Sequence, residues 1–161
     1  MNTYERSEDA SGLRFAIVVS RFNPLIAEKL LDACSAELIR CGARREDIDV
    51  AWVPGAFEIP IAARALASSG RYHALVTLGS VIRGETPHFD YICRGVTDGL
   101  REVMRDTSVP VGFGVLTTDD VGQALARAGG EHGNKGEEAA RTAIEMARLM
   151  TRLGKAPGVD T

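Results

Sequence analysis

Four short runs rich in β-branched and apolar residues, at 15–19, 48–53, 74–78 and 111–116, are separated by stretches with helical patterning. This alternation restricts the fold more than any other feature of the chain. Strands joined through long helical connections pair in parallel, because only a crossover returns the chain to the same end of a sheet. The spacing therefore predicts an α/β fold with a four-stranded parallel sheet between two layers of helices, a three-layer sandwich like that of flavodoxin. The first helix starts at Asn23-Pro24, with Asn23 as N-cap and Pro24 in the first turn, and it ends at Gly42. Ala27, Leu30, Leu31, Cys34 and Leu38 form one apolar stripe along it. Further helices are expected over 59–68, from Pro87 to about Thr107, over 121–128, and from Lys135 onward. On the last of these Ala140, Ala143, Ile144, Ala147 and Met150 share a side, while Glu137 and Arg141 pair across an exposed face.

The chain of 161 residues divides into a polar N-terminal segment over 1–12, one domain over 13–153 and a frayed tail over 154–161. A hydrophobic fraction of 45% and a net charge of -3 suit an ordinary soluble domain, with no nucleic acid or anionic membrane as partner. No apolar stretch reaches the length of a membrane span and residues 1–12 lack a signal-peptide core, so a cytoplasmic location is expected. Cys34, Cys41 and Cys93 have no paired spacing and read as plain buried thiols. The histidines (His73, His88, His132) are scattered, so no metal is expected. Gly112-Phe113-Gly114 is not a dinucleotide fingerprint, because it lies inside a strand and has no third glycine.

Ligands of an open parallel sheet bind beyond the carboxyl ends of its strands. There the sequence places Arg21-Phe22-Asn23, an apolar corner Pro54-Gly55-Ala56-Phe57-Glu58, and a long glycine-punctuated loop over 79–87. That loop ends with Thr86 as the expected N-cap and Pro87 at the first helical position. Free main-chain N–H groups at a helix start form a natural phosphate seat. His88, in the first turn beside it, is suited to proton transfer. Taken singly, Phe22 and Phe57 read as core residues; only their joint placement at strand ends argues for a ligand.

The segments Arg21-Phe22-Asn23, VPGAFEIP (53–60), LGSVIRGETPHFDYIC (78–93), GVLTTDD (114–120) and GNKGEEAA (133–140) together resemble the lumazine synthase family, over nearly all of 15–150. The resemblance implies condensation of 5-amino-6-(D-ribitylamino)uracil with 3,4-dihydroxy-2-butanone 4-phosphate, without a cofactor. It implies that Phe22 stacks on the pyrimidine and that Ala56, Phe57 and Glu58 hold the ribityl chain. Ser80, Val81 and Ile82 would bind the heterocycle through main chain, with Phe113 and Lys135 as further contacts. Glu85 and Thr86 fall at the sugar phosphate, Arg127 would neutralise it, and His88 matches the proton-transfer residue. Glu85 sets a carboxylate beside that phosphate, which is tolerable if the contact is through main-chain N–H.

These residues cannot all meet within one chain. Phe22, Glu58 and His88 follow strands, whereas Phe113 lies early in the fourth strand and Arg127 and Lys135 return toward that opposite edge. A five-residue strand separates the two by about 17 Å. A site shared between subunits is the economical arrangement, and the resemblance implies rings of five. The compact glycine-rich connection over 129–136 is similar to that of relatives forming sixty-subunit shells, in which the N-terminal segment adds as an edge strand to a neighbour. Riboflavin synthase is a candidate partner. The rival readings are a flavodoxin-like flavin or pterin carrier without catalysis, and another flavin-biosynthetic enzyme on a similar fold.

Overall fold

A computed structural model of the chain describes residues 1–154; the final seven residues of the expected tail lie outside the described residues. Strands β1 (Phe15–Ser20), β2 (Ile48–Val53), β3 (Ala74–Ile82) and β4 (Val111–Thr118) form a parallel sheet in the order β2-β1-β3-β4. The connections are helices α1 (Pro24–Arg40), α2 (Ile59–Ala67) and α3 (His88–Thr107). After β4 come the short α4 (Val121–Ala126), a small antiparallel pair β5 (Ala128–Gly130) and β6 (Gly133–Asn134), and α5 (Lys135–Arg152).

The sheet is covered on both faces, which explains why β1 is buried along its whole length. Phe15, Ile17, Val19, Val76 and Leu78 face α1, α4 and α5, while Ala16, Val18, Leu75 and Val115 face α2 and α3. This is the flavodoxin-like three-layer arrangement. The expected stripes supply the helical side: Ala27, Leu30, Cys34 and Leu38 of α1 are buried, as are Ala140, Ala143, Ile144 and Ala147 of α5. Leu31 and Met150 are half-buried at the margins. Of the three cysteines only Cys34 is buried; Cys41 and Cys93 are half-buried, because they sit at the rims of α1 and α3.

Several local expectations need correction. Strands β3 and β4 run past their expected ends, since their pairing continues from Gly79↔Val115 to Ile82↔Thr118. Ser80, Val81 and Ile82 are therefore strand residues rather than loop residues. Asn23 occupies the N-cap position of α1 in a left-handed conformation, yet its side chain makes no cap bond. Its Nδ2 instead donates to the Ser80 carbonyl at 3.0 Å, tying the start of α1 to β3. Helix α3 begins one residue later than expected, at His88, with Pro87 before it; the Thr86 hydroxyl accepts the His88 N–H only at a long 3.5 Å. The fourth helix stops at Ala126, because the chain turns into the β5–β6 pair.

Arg141 does not lie on an open face. It pairs with Glu137 and also donates from Nε to Glu37 Oε1 of α1 at 2.6 Å, while Arg40 donates to the same carboxylate at 2.6 and 2.7 Å. Glu37 is 5% exposed and is clamped between two guanidiniums, so it joins α1 to α5. Alongside it, Asn134 accepts the Gly136 N–H at 2.8 Å and donates to Lys29 O at 3.1 Å. At Gly136 a Cβ would lie 2.1 Å from Leu30 O, so only glycine lets the start of α5 approach α1 this closely.

The clamp predicts an acid limb in stability. Hydrogen bonds from Arg40, and then from Arg141, hold the Glu37 carboxyl down at about 2 against an ordinary 4.5. A carboxylate held below its unfolded value stabilises the fold above pH 4.5, and that contribution is lost as the pH falls toward 2. The thermal midpoint should therefore drop across this interval. Glu37→Gln should lower it at neutral pH and flatten its acid dependence, because the amide accepts the guanidinium hydrogen bonds without the charge. An unchanged acid slope in the variant would remove the clamp from the account.

Candidate functional site

The order β2-β1-β3-β4 reverses direction between β1 and β3, and such a reversal opens a crevice at the carboxyl ends of the two strands. Strand β1 pairs with β3 only as far as Val19↔Leu78, whereas β3 continues to Ile82. Beyond Leu78 one edge of β3 is bonded to β4 and the other has lost its neighbour. Main-chain groups of successive strand residues point to alternate edges. The Ser80 carbonyl, which meets Asn23, identifies Ser80 and Ile82 as the residues presenting groups to the open edge.

Around that edge lies a cleft of about 490 Å³. Phe22, Ala56, Phe57, Glu58, Ser80, Val81, Ile82, Thr86 and His88 line it together with Gly55, Gly84, Phe89 and Ile92. Phe22 is 72% exposed and Phe57 59%, so neither is a core residue. The Phe57 ring lies on α3 at Gly95, where a Cβ would come within 2.8 Å of it; glycine there lets the ring lie against the helix. Glu58 folds back within the corner, its Oε2 accepting the Gly55 N–H at 2.9 Å. The corner thus has a fixed shape, and Glu58 keeps a second carboxylate oxygen for a ligand. The Ser80 hydroxyl is buried with no hydrogen-bond partner among the described residues. Residues 84–87 bridge the end of β3 and the start of α3, and all are exposed. The 20-residue helix beginning at His88 turns the N–H groups of its first turn toward this bridge, that of Asp90 being bonded to Pro87 O at 3.0 Å.

A second cleft, of about 390 Å³, lies along the free edge of β4. Phe113, Arg127 and Lys135 line it, with Thr117, Glu138, Ala139 and Thr142. It extends along the strand from Phe113 to Thr117 rather than sitting only at the strand's beginning. Arg127 Nη1 donates to Gln123 O at 3.1 Å, and Lys135 Nζ bonds Glu138 Oε2 at 2.5 Å.

The residues singled out in the sequence therefore fall into two groups. The first cleft gathers nine of them, and the second gathers Phe113, Arg127 and Lys135. Glu85 is exposed and lines neither. Sequence reasoning missed Phe89 and Ile92, whose turn-by-turn spacing from His88 along α3 could have revealed Ile92. It also missed Glu138, which the i, i+3 relation to Lys135 could have shown.

Comparison with known proteins bears on what such a pair of clefts serves. The family model described as 6,7-dimethyl-8-ribityllumazine synthase matches residues 12–151. A relative from Nitratidesulfovibrio vulgaris, named 6,7-dimethyl-8-ribityllumazine synthase, is 50% identical over 153 residues, covering 95% of this chain and 98% of its own. The matched stretch contains both clefts entire, and the chain belongs to the 6,7-dimethyl-8-ribityllumazine synthase family.

Proposed function

We propose that the chain is a transferase of riboflavin biosynthesis. It condenses 5-amino-6-(D-ribitylamino)uracil with 3,4-dihydroxy-2-butanone 4-phosphate to 6,7-dimethyl-8-ribityllumazine, phosphate and water. Family membership supports the reaction. The observation that carries the site is the meeting of an exposed ring, an apolar corner carrying one carboxylate and a histidine-bearing helix start in one cleft.

On this reading Phe22 stacks on the pyrimidine, and the open edge of β3 hydrogen-bonds its polar rim through the main chain of Ser80 and Ile82, with Val81 between them lining the cleft and turning its main-chain groups to β4. Ala56, Phe57 and Glu58 hold the ribityl chain, with the free Glu58 oxygen accepting hydroxyls. Thr86 and the first N–H groups of α3 seat the sugar phosphate, and the exposed Glu85 side chain leaves that seat to the main chain. The uracil's 5-amino group adds to the ketone and one water leaves as the imine forms. Loss of phosphate and attack of the ribitylamino nitrogen then close the ring with loss of a second water. His88 is placed to carry protons between these steps. Holding two reactants in contact supplies most of the acceleration.

Arg127, Phe113 and Lys135 complete the site from a neighbouring subunit, because the two clefts of one chain open on different flanks of the sheet. The assembly is a ring of five, and the tight glycine-containing β5–β6 pair leaves room for rings to pack into a sixty-subunit shell. The N-terminal segment adds to a neighbour's β2, whose free edge displays Val50 and Trp52 at about two-fifths exposure. Within its own chain this segment is tethered to α5, where Arg148 donates to the Asp9 and Ser11 carbonyls at 2.6 Å, so the part nearest Met1 reaches the neighbour. No described helix is long and apolar enough to cross a membrane. The expected cytoplasmic location and riboflavin synthase as partner belong to this proposal. Mixing the two substrates and following lumazine absorbance separates this reading from a flavin carrier.

His88→Ala should slow turnover by about 10²-fold, the low end for general acid–base groups, because imine chemistry proceeds without a catalyst. Unchanged turnover would take His88 out of the mechanism. Arg127→Ala should raise KM for the sugar phosphate far more than KM for the uracil, and Phe22→Ala should do the reverse. Charge-assisted bonds contribute about 1.5–3 kcal/mol, roughly a tenfold to hundredfold change. Equal effects on both substrates would show the two residues misplaced. Sedimentation at assay concentration should give a megadalton species; a pentamer mass refutes the shell alone, and an active monomer refutes the shared site.

A further inference from the structure

Arg83 stands at the hinge between β3 and the bridge over 84–87, outside the lining of the first cleft. Its N–H donates to Thr118 O at 2.9 Å, the last main-chain bond before the bridge begins. The side chain makes three contacts, all with elements flanking the bridge. Nε donates to Asp119 Oδ1 at 3.0 Å, just past β4. Nη1 lies 3.4 Å from Asp90 Oδ2 in the first turn of α3, and the guanidinium sits 4.2 Å above the Phe89 ring. Asp119 is itself held, its N–H donating to Gln123 Oε1 at 2.9 Å. Both ends of the bridge thus converge on one planar cation, while within the bridge Gly84 has open space around it and the other residues are exposed.

We propose that Arg83 is a positioning residue that fixes the phosphate-holding bridge 84–87 against the start of α3, acting through Asp119, Asp90 and Phe89 without touching substrate. This rests on the reading of that bridge as the phosphate seat. Two carboxylates neutralise the guanidinium, so it is not a free cation for the phosphate. The pairs are solvent-exposed and contribute little to global stability. Their effect is local: they order in advance a segment that the phosphate would otherwise have to order on binding.

Steady-state lumazine formation by the full-length chain and its variants tests this. Arg83→Ala should raise KM for the sugar phosphate on the order of tenfold, with KM for the uracil and kcat within about twofold and the thermal midpoint nearly unchanged. Arg83→Lys keeps the charge but not the planar fork, and it should fall between. Asp119→Asn should also raise the sugar-phosphate KM, and the double variant should be no worse than Arg83→Ala, since both remove one tether. Amide hydrogen exchange at Arg83 and Asp90, whose N–H groups donate to Thr118 O and Pro87 O at the two ends of the bridge, should quicken in each variant whether or not lumazine forms, which keeps this test apart from that of the reaction. Absence of lumazine formation by the unmodified chain would speak against the proposed reaction. A lower sugar-phosphate KM in Asp119→Asn, equal rises in both KM values in Arg83→Ala, or unchanged exchange at Arg83 and Asp90 would overturn the tether.

Discussion

Strand β3 continues four residues past its last pair with β1, and the first cleft depends on that mismatch. A parallel strand bonded on both sides has no main-chain groups to offer. Once β1 has turned into α1, the end of β3 keeps β4 on one side and offers its other edge to a ligand. The surrounding residues follow from this geometry. Phe22 belongs to the turn by which β1 leaves, and Asn23 covers part of the exposed edge by donating to Ser80 O. The corner at Ala56, Phe57 and Glu58 is the turn by which β2 leaves beside it, and His88 opens the helix that β3 itself feeds.

The same topology separates the remaining functional candidates. Strand β4 is an edge strand, so its outer flank is open, and the chain beyond it passes through α4, β5 and β6 into α5. Arg127 and Lys135 bracket the β5–β6 pair and are held there by the close seat of α5 on α1, where Gly136 meets Leu30 and Glu37 meets Arg141. A polar clamp and a glycine contact far from the first cleft thus determine where the second cleft's cations stand.

Much of this was legible in the sequence because it depends on periodicity and chain direction. The β-branched runs mark the strands, and chain direction separates Phe22, Glu58 and His88 from Phe113, Arg127 and Lys135, although Glu85 lines neither cleft and the second cleft runs along β4 to Thr117 instead of lying at the strand's beginning. Burial could not be read in the same way. Phe22 and Phe57 are core-like by residue type and only their placement at strand ends argues otherwise, while the folded chain leaves both rings exposed in the first cleft. The full length of β3 was hidden because Ser80 and Gly79 resemble loop residues, while their strand conformation is imposed by pairing with β4. Contacts between distant segments were also invisible: Arg141 looked like a partner for Glu137 alone, and nothing local announced Glu37 from α1. Asn23 looked like a helix cap for the same reason, since its actual acceptor lies on another strand.

In the proposed reaction two clefts of different subunits make one site. Co-assembly of two impaired chains tests this directly, one carrying Phe22→Ala with His88→Ala and the other Arg127→Ala with Lys135→Ala. In a random equal mixture about one interface in four joins an intact first cleft to an intact second cleft. Lumazine formation should therefore recover to roughly a quarter of the activity of the unmodified chain, well above either variant alone. Activity that stays at the mean of the two separate variants after verified co-assembly would mean that each chain carries its whole site, contradicting a site shared between subunits.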